Sequence, residues 1–382
     1  MESETQLITE PRTEKRIKLA IVVGTRPEII RLSATINLAR KYFNTILIHT
    51  GQNYDYNLNE TFFKDLSIDK PDYYLDCSRE NLGKTVGDVI SKSYQLFTDL
   101  QPDALLILGD TNSCLCAYSA KRLKIPIFHL EAGNRCFDPN VPEEINRKMI
   151  DHLSDINMCY MEQARSNLIQ EGKTQYVFVV GSPIPEVWNS IKDKTSDILQ
   201  RYQLEKGKYF VWSSHREENI DNDTNLNSII NSIRQLYDEY KLKIIFSVHP
   251  RTRKKLLNVK FHEDIILAEP FGLIDYYTLQ KNALCVISDS GTITEESSIL
   301  GFKAVLLRTS TEHPEGIDAG SIVVGNIKWE DLKLALRMSI ELNNGGKIMN
   351  YTDTNFSVKV CKIISGYIPI VNKFLWMKST SD

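Results

Sequence analysis

Short apolar runs rich in β-branched residues alternate with longer segments that carry apolar residues at helical spacing. In the first half, Lys18–Val23, Thr45–His49, Ala104–Leu108 and Ile125–Leu130 have no helical period, whereas Pro27–Tyr42 has one. The runs predict buried strands, and the segment between the first two predicts a helix. Strands that alternate with helices indicate a parallel sheet with helices on its faces.

A second series follows a segment rich in proline and glycine. Tyr176–Val180 predicts one more buried strand, and Gly181-Ser-Pro-Ile-Pro185 after it is typical of a domain boundary. Beyond it we predict a helix at Thr224–Tyr240 and strands at Tyr209–Trp212, Lys243–Val248, Asp264–Leu267 and Cys285–Ser288. The predicted fold class is therefore α/β, with two Rossmann-like domains.

The predicted division is a disordered extension over residues 1–16, a first domain over 17–185, a second domain over 186–365 and a C-terminal segment over 366–382. In open parallel sheets, ligands bind beyond the carboxyl ends of the strands. Two such domains that face each other therefore predict one site in the cleft between them.

The composition argues against several classes of binding partner. With 382 residues and 42% hydrophobic content the chain can form two cores, and its net charge of −3 argues against nucleic-acid binding. Residues 1–16 lack the apolar core of a signal peptide, and no window is apolar enough for a membrane span. The seven cysteines are scattered, and only Cys114 and Cys116 are close. We therefore expect reduced, buried thiols, no metal and a cytoplasmic protein.

The most informative segment is Ser288–Glu296, where a short apolar strand ends in small polar residues before a helix. Unpaired backbone N–H groups and the helix dipole favour phosphate there, so Ser290, Gly291 and Thr292 are candidates for binding a nucleotide diphosphate. Glu296, one turn into the helix, is placed to accept hydrogen bonds from ribose hydroxyls. The alternative is an ordinary helix with Ser290 as N-cap and acidic dipole partners in its first turn.

The first strand ends in a comparable turn. Lys18–Val23 leads into Gly24-Thr-Arg-Pro-Glu28, where Pro27 suits the first helical turn, and Arg26 and Arg31 add positive charge. These arginines are candidates for contacting a diphosphate, and the alternative is a solvated basic face. The turn does not match G-x-G-x-x-G, so a bound NAD is not supported.

Three carboxylates follow strand ends or begin a helix. Asp110 and Glu131 come directly after predicted buried strands, and Glu143 lies in the first turn of a predicted helix. In a cleft, the pKa of such an acid can be raised for proton transfer. The alternatives are a turn or N-cap role for Asp110, a salt bridge between Glu131 and Arg135, and an i,i+4 pair between Glu143 and Arg147.

Two histidines and one aromatic residue follow strands of the second half. His215 and His249 occupy similar positions after successive predicted strands, where histidine can hydrogen-bond or neutralise a leaving phosphate. Phe271 is placed to stack on a base. A buried structural role is the alternative for each, but the repeated position favours function for at least one histidine.

Six motifs occur in one order: Gly24-Thr-Arg-Pro-Glu28, Gly109-Asp-Thr111, His129-Leu-Glu-Ala-Gly133, Pro142-Glu-Glu144 with Asn146-Arg147, Ser214-His-Arg216, and Asp289-Ser-Gly291 with Glu295-Glu296. Together they resemble the non-hydrolysing UDP-N-acetylglucosamine 2-epimerase family from about Lys18 to Gly325. The resemblance implies the glycosyltransferase-B arrangement of two Rossmann-like domains, a homodimer, and a C-terminal segment at Tyr367–Trp376 that packs on the first domain. It also implies C2 epimerisation of a UDP-2-acetamido sugar without a cofactor.

Carried over position by position, the resemblance gives catalytic or substrate-contacting roles to Asp110, Glu131, Glu143 and His215. It assigns Arg26, Ser290, Gly291 and Glu296 to the UDP moiety, and we add Arg31, Gln52, Arg147, His249, Phe271 and Thr292 as substrate-binding candidates. Arg31 stands where the family usually has lysine, whose hydrogen-bond geometry differs. Thr292 replaces a second glycine and leaves the backbone donor in place.

Two further departures concern regulation and substrate. Asn53-Tyr54-Asp55 follow Gln52 where better-known members have His-Arg, a region linked in bacterial members to regulatory UDP-N-acetylglucosamine, so that regulation is not carried over. Asn134-Arg-Cys-Phe-Asp138 is similar to the subgroup that converts UDP-2-acetamido-2,6-dideoxy-L-talose to UDP-N-acetyl-L-fucosamine for surface polysaccharides. UDP-N-acetylglucosamine is the alternative substrate. A UDP-sugar-dependent glycosyltransferase or a hydrolysing epimerase is the alternative activity.

Overall fold

The computed structural model describes residues 16–51, 63, 65–248, 250–308, 310–342 and 348–378, and it contains two parallel sheets. The first sheet has the strand order β3-β2-β1-β4-β5-β6-β7, and the second has the order β10-β9-β8-β11-β12-β13. The first is built from β1 Lys18–Val23, β2 Asn44–His49, β3 Tyr73–Tyr74, β4 Ala104–Leu108, β5 Ile127–Leu130, β6 Ile156–Cys159 and β7 Val177–Val179. The second is built from β8 Tyr209–Ser213, β9 Lys243–Ser247, β10 Ile265–Ala268, β11 Cys285–Ser288, β12 Ala304–Leu307 and β13 Val323–Gly325.

Helices connect the strands and cover the sheets. In the first half they are α1 Arg26–Tyr42, α2 Leu82–Leu100, α3 Cys116–Arg122, α4 Pro142–Leu153, α5 Glu162–Gln170, α6 Ile184–Ile191 and α7 Ile198–Arg201. They continue as α8 Glu217–Ile220, α9 Asp223–Tyr240, α10 Pro250–Leu256, α11 Leu273–Asn282, α12 Ile293–Leu300, α13 Glu315–Asp318, α14 Trp329–Glu341 and α15 Phe356–Ile370. The predicted α/β fold with two Rossmann-like domains is confirmed.

The strand order reverses once in each sheet, between β1 and β4 in the first and between β8 and β11 in the second. These four strands are almost entirely buried, which explains why each is an unbroken apolar run. Ligands bind in such sheets beyond the carboxyl ends of the strands at the switch point. The turns after them carry Arg26, Asp110, His215 and Ser290, so the predicted site residues reach the expected edges.

The chain crosses to the second domain later than predicted. Val187 and Ile191 of α6 pack in the core of the first domain, and Ile198 of α7 packs in a core of the second. The first crossing therefore lies between α6 and α7, after the predicted boundary at residue 185, because the apolar face of α6 is still buried in the first domain.

The chain also returns to the first domain earlier than predicted. Phe356 of α15 is fully buried in the first core, and the Oγ atom of Ser357 lies 3.0 Å from Oγ1 of Thr35 on α1. The returning segment therefore begins at Phe356 rather than at residue 366.

Two other predictions concern residues outside the sheets. All seven cysteines are buried and unpaired, as predicted. The predicted disordered extension lies outside the described residues except for Arg16. Within the part of the chain that is described, no helix combines the length and apolar character that a membrane crossing requires.

Candidate functional site

A cavity of about 560 Å³ lies between the two domains. Arg26, Pro27 and Ile30 at the start of α1 form its wall on the side of the first domain. The wall of the second domain includes the predicted site residues His215, Phe271, Ser290, Thr292 and Glu296, together with Ser213, Ile220, Asp221, Ser247, Thr252, Pro270, Tyr276 and Ser288. The two switch points therefore open into one cavity.

The turn after β11 presents a helix start without a side-chain cap. Helix α12 begins at Ile293, and its N-cap is Thr292, whose side chain bonds to the Ser290 hydroxyl at 3.0 Å between the two oxygens. The alternative in which Ser290 caps this helix is therefore wrong. An uncapped helix start leaves N–H groups for a ligand.

Glu296 lies in the first turn of α12 and reaches the cavity. Its carboxylate accepts a hydrogen bond from Nε2 of Gln280 at 2.7 Å. Burial raises the pKa of Glu296, and the hydrogen bonds from Gln280 and Thr292 oppose that shift only in part. The side chain is therefore held at the cavity wall.

A side chain packs closely against Gly291. A Cβ atom built on Gly291 would lie 2.4 Å from Oε1 of Glu312 and 3.2 Å from Nη1 of Arg308. A contact below 3 Å forces one side chain to move. The loop after β12 therefore packs directly behind the turn that follows β11.

The turn after β8 is held by Asp289, which we had not predicted as a site residue. The buried Asp289 carboxylate accepts hydrogen bonds from the backbone N–H groups of His215 and Arg216 and from Nδ2 of Asn219, at 3.0 to 3.2 Å. It fixes His215, whose imidazole stays half exposed, with Nδ1 3.6 Å from the carboxylate. Its place in the run after β11 was the available signal.

Glu28 organises the turn after β1 and was also missed. Its buried carboxylate accepts hydrogen bonds from the backbone N–H groups of Gly24 and Thr25 and from the hydroxyl of Thr111 at 2.7 to 2.8 Å. Burial raises the pKa of Glu28, and these hydrogen bonds oppose the shift. The capping-box spacing of Thr25 and Glu28 was the sequence signal.

Asp110 is paired with Arg147 at the end of β4. The Nε atom of Arg147 donates to Oδ2 of Asp110 at 2.9 Å, and Nη1 of the same arginine lies 3.2 Å from Oε2 of Glu144. The alternative in which Glu143 pairs with Arg147 is therefore wrong, since the i+3 spacing and the buried position favour Glu144. Glu143 is half-buried and makes no hydrogen bond or ion pair with the described residues.

The pKa of Asp110 is raised. Burial is the main cause, the negative charges of Glu131 and Glu312 add to it, and the Arg147 guanidinium acts in the opposite direction. A raised pKa moves a carboxyl group towards the range in which it can exchange a proton at neutral pH. The N-cap alternative for Asp110 is wrong, because Thr111 caps the following turn.

Glu131 has a left-handed backbone with φ of 63°, which is uncommon for a residue other than glycine. Its carboxylate is ion-paired with Arg31, which is 5% exposed and also pairs with Glu295 of the second domain. The alternative pair between Glu131 and Arg135 is wrong, because Arg135 instead pairs with the buried Asp151 at 2.7 Å.

The carboxylates lie beside the cavity and not in its wall, as far as the described residues form that wall. Ion pairs join the regions, since Arg31 connects Glu131 to Glu295, which is next to Glu296. The negative charge of Glu312, behind Gly291, also acts on Asp110 from the second domain. The predicted site residues Gln52 and His249 lie outside the described residues.

Two Rossmann-like domains around a shared cavity define a two-domain α/β protein of the class whose ligand sites lie in the interdomain cleft. The chain belongs to the UDP-N-acetylglucosamine 2-epimerase family, whose model matches residues 37–365. It is an isomerase with 2-epimerase-type activity on UDP-sugars.

Solved structures and curated relatives agree with this membership. The structure of UDP-N-acetylglucosamine 2-epimerase from Rickettsia bellii has 44% sequence identity, a TM-score of 0.90, and covers 95% of this chain and 100% of its own. The Methanocaldococcus jannaschii UDP-GlcNAc 2-epimerase in complex with UDP-GlcNAc and UDP has 32% identity and a TM-score of 0.86, covering 92% and 100%. A UDP-2,3-diacetamido-2,3-dideoxy-D-glucuronate 2-epimerase of Pseudomonas aeruginosa is 30% identical over 81% of this chain and 88% of its own.

Proposed function

We propose that this enzyme inverts C2 of a UDP-2-acetamido sugar by eliminating UDP and adding it back. A base removes the proton from C2, the C2–H electron pair forms the C1–C2 double bond, and the C1–O bond breaks with its electron pair leaving on UDP. The diphosphate oxygen then adds again to C1, and a proton is delivered to the opposite face of C2. Atoms and charge balance without an external oxidant.

The observation that carries the proposal is the position of Asp110. It follows the central strand β4 at the switch point of the first domain, its side chain is 22% exposed, and desolvation raises its pKa. Glu131 follows the neighbouring strand and acts on Asp110 electrostatically. Two carboxylates in different surroundings are suited to sharing the two proton transfers that inversion needs.

The second domain supplies the groups that suit the departing UDP. The uncapped start of α12 favours the diphosphate, Glu296 is placed for the ribose and Phe271 for the base. Arg26 reaches the same cavity from the first domain, and we assign His215 a contact with the diphosphate or the sugar. Retaining UDP inside the cleft allows its return to the sugar.

Oxidation at C3 is the other chemical route to an acidic C2 proton, and it requires a dinucleotide. The turn Gly24-Thr-Arg-Pro-Glu28 after β1 does not have the spacing of a dinucleotide-binding turn. Elimination needs only a base, an acid and a site for UDP, so it is the route that these residues support.

For the substrate we propose UDP-2-acetamido-2,6-dideoxy-L-talose, with UDP-N-acetyl-L-fucosamine as the product for surface polysaccharides. The segment Asn134–Asp138 supports this choice, and it presents Phe137 with 73% exposure, an apolar side chain suited to a C6 methyl group. UDP-N-acetylglucosamine is the second candidate, because relatives with 36% and 44% identity carry its name.

The test is the reaction in D₂O with each UDP-sugar alone, followed by NMR of the product. Elimination and re-addition predict one deuterium at C2 and no net free UDP. Product without deuterium at C2 would exclude the mechanism. Accumulation of free UDP would indicate a hydrolysing epimerase, and turnover only with an added acceptor would indicate a glycosyltransferase. The ratio of kcat/KM for the two sugars decides the substrate.

We also propose a homodimer in a reducing, cytoplasmic compartment. Tyr94, Tyr118, Ile145 and Met149 are 46 to 56% exposed on α2, α3 and α4, helices that pack side by side. Such a group of exposed apolar side chains suits an interface between copies of the chain. Seven unpaired cysteines suit the compartment. Light scattering after size exclusion tests the dimer, and a single-chain mass would contradict it.

A further inference from the structure

Arg308 lies at the same edge of the second sheet as the predicted diphosphate site. It directly follows β12, and β12 is the neighbour of β11, which ends at the turn with Ser290. Its side chain is only 2% exposed. In parallel sheets, the ends of adjacent strands at this edge face the same ligand region.

The two terminal nitrogens of the Arg308 guanidinium make no hydrogen bond with the described residues. Its Nη1 atom lies 2.7 Å from Oε2 of Glu312, but the N–H bonds do not point at that oxygen, so charge alone holds the pair. Neither Nη1 nor Nη2 has a hydrogen-bond partner among the described residues. A buried polar group without a partner is costly, and most such groups are satisfied by a ligand, an ion or water.

The guanidinium is close to the turn that we assign to phosphate. A Cβ atom on Gly291 would lie 3.2 Å from Nη1 of Arg308, so the arginine is directly behind this turn. Arg308 also lines a cavity of about 330 Å³ between the domains, with Asp138 and Val141 on the other side. Arg308 is therefore reached from this smaller cavity, and it is not part of the described lining of the larger cavity that holds Ser290 and Thr292.

The surroundings of Glu312 show that an anion is stable here. Burial opposes its ionisation, but Arg308, His313, Arg147 and Arg216 outweigh that effect and lower the pKa of Glu312 to about 2. Cationic groups from both domains thus converge on one carboxylate beside the helix start.

We propose that Arg308 binds the diphosphate of the UDP moiety, and that Glu312 is its counter-ion while no nucleotide is bound. This inference rests on the proposed function, in which UDP must be held after it leaves the sugar. The planar guanidinium presents two parallel N–H groups that match two phosphate oxygens, which an ammonium group cannot do. Glu312 then competes with the phosphate for the same arginine.

The test compares the affinities of UDP and uridine by calorimetry, since only UDP carries the diphosphate. For Arg308→Gln we expect UDP to bind about 10- to 100-fold more weakly, the range for a lost charge-assisted hydrogen bond, while uridine binds as before. Arg308→Lys should restore part of the loss. Arg337→Gln, at an exposed arginine paired with Glu341 on α14, is the matched control and should change neither affinity.

Equal weakening of UDP and uridine in Arg308→Gln would overturn the inference, because it would indicate a structural role. Unchanged affinity for both UDP and uridine would overturn it as well. Glu312→Gln removes the competing carboxylate and should tighten UDP binding, and this variant decides the question if Arg308→Gln does not fold: equal or weaker UDP binding then counts against the inference. Binding is measured without turnover. If the enzyme epimerises but Arg308→Gln leaves the ratio of UDP to uridine affinity unchanged, the role of Arg308 is wrong and the proposed reaction stands. If the substitution changes that ratio but the protein does not epimerise, the proposed reaction is wrong and the role of Arg308 stands.

Discussion

The two sheets face the cleft with the edges at which their strands end, and these two edges carry different kinds of side chain. At the edge of the first domain, carboxylates pair with buried arginines: Asp110 with Arg147, and Glu131 with Arg31. The edge of the second domain, where it lines the cavity, consists largely of hydroxyl groups and an aromatic ring, with Ser290, Thr292 and Phe271 as examples.

The difference matches two separate tasks. Burial raises the pKa of Asp110, which suits that carboxyl group to proton exchange. Neutral hydroxyls and backbone N–H groups, in contrast, bind phosphate in any state of the reaction. We therefore expect substitutions in the first edge to change turnover and substitutions in the second to change nucleotide affinity.

The strongest test of this division is Asp110→Asn. Removing one partner of the proton transfers should lower kcat by about 10²- to 10⁴-fold, and UDP affinity should stay within about twofold. Initial rates and calorimetry give the two values. Asp238→Asn, at an exposed carboxylate paired with Lys241, is the control. Turnover near that of the unmodified enzyme would remove Asp110 from the mechanism.

The charges of the first edge should also carry stability, which Arg31→Met tests. Without Arg31, the buried carboxylates of Glu131 and Glu295 lose their shared counter-ion, and we expect a loss of about 3–5 kcal/mol in the free energy of unfolding. Urea unfolding measures it, with Arg337→Met as the exposed control. If Arg31→Met and Arg337→Met were equally stable, the ion pairs of Arg31 between the domains would contribute nothing to the free energy of unfolding.

In the second edge, Gly291→Ala should weaken UDP binding about tenfold. The new methyl group would lie 2.4 Å from Oε1 of Glu312, so this side chain or the turn must shift. Overpacking of this kind lowers the free energy of unfolding by about 1–3 kcal/mol. Gly87→Ala in α2 is the control, because nothing lies within 4 Å of its new methyl group. Unchanged UDP affinity in Gly291→Ala would show that the turn tolerates the shift.

The smallest expected effect concerns His313, a charged residue of the second domain. Burial lowers its pKa, but Glu315, Glu312 and Glu295 outweigh this and raise it from 6.5 to about 9. The stabilisation is complete below the ordinary pKa and is lost as pH rises towards 9. Urea midpoints should therefore differ most between the unmodified enzyme and His313→Gln near pH 6, and least above pH 9. A difference that does not change with pH would contradict this assignment.

Sequence patterns predicted the sheets well because each central strand is a buried apolar run that ends at a glycine or a polar turn. Parallel strands place their ends at one edge, so positions such as Asp110 and Ser290 could be assigned to the cleft from order alone. Four strands were missed. β3 has two exposed tyrosines, β13 has only three residues, and the apolar run of β6 is interrupted by Asn157. β12 is a buried apolar run of four residues that was not recognised as a strand.

The partners of the charged residues could not be predicted in the same way. Glu131 pairs with Arg31, which lies 100 positions earlier, and not with Arg135, four positions later, because tertiary packing brings α1 to the end of β5. Arg147 pairs with Glu144 and not with Glu143 because Glu144 is the buried one of the two. Helical spacing alone does not show which of two adjacent acids in the first turn pairs with a residue one turn later.

The early return of the chain at α15 makes the second domain an insertion within the first. The helices before and after the insertion are bonded to each other, since Glu186 of α6 accepts a hydrogen bond from the backbone N–H of Ser357 at 3.1 Å. The backbone N–H of Ser182 also donates to the carbonyl of Asn350 at 3.2 Å. The two connections between the domains therefore lie side by side, and the second domain is joined to the first at one place instead of at two opposite ends.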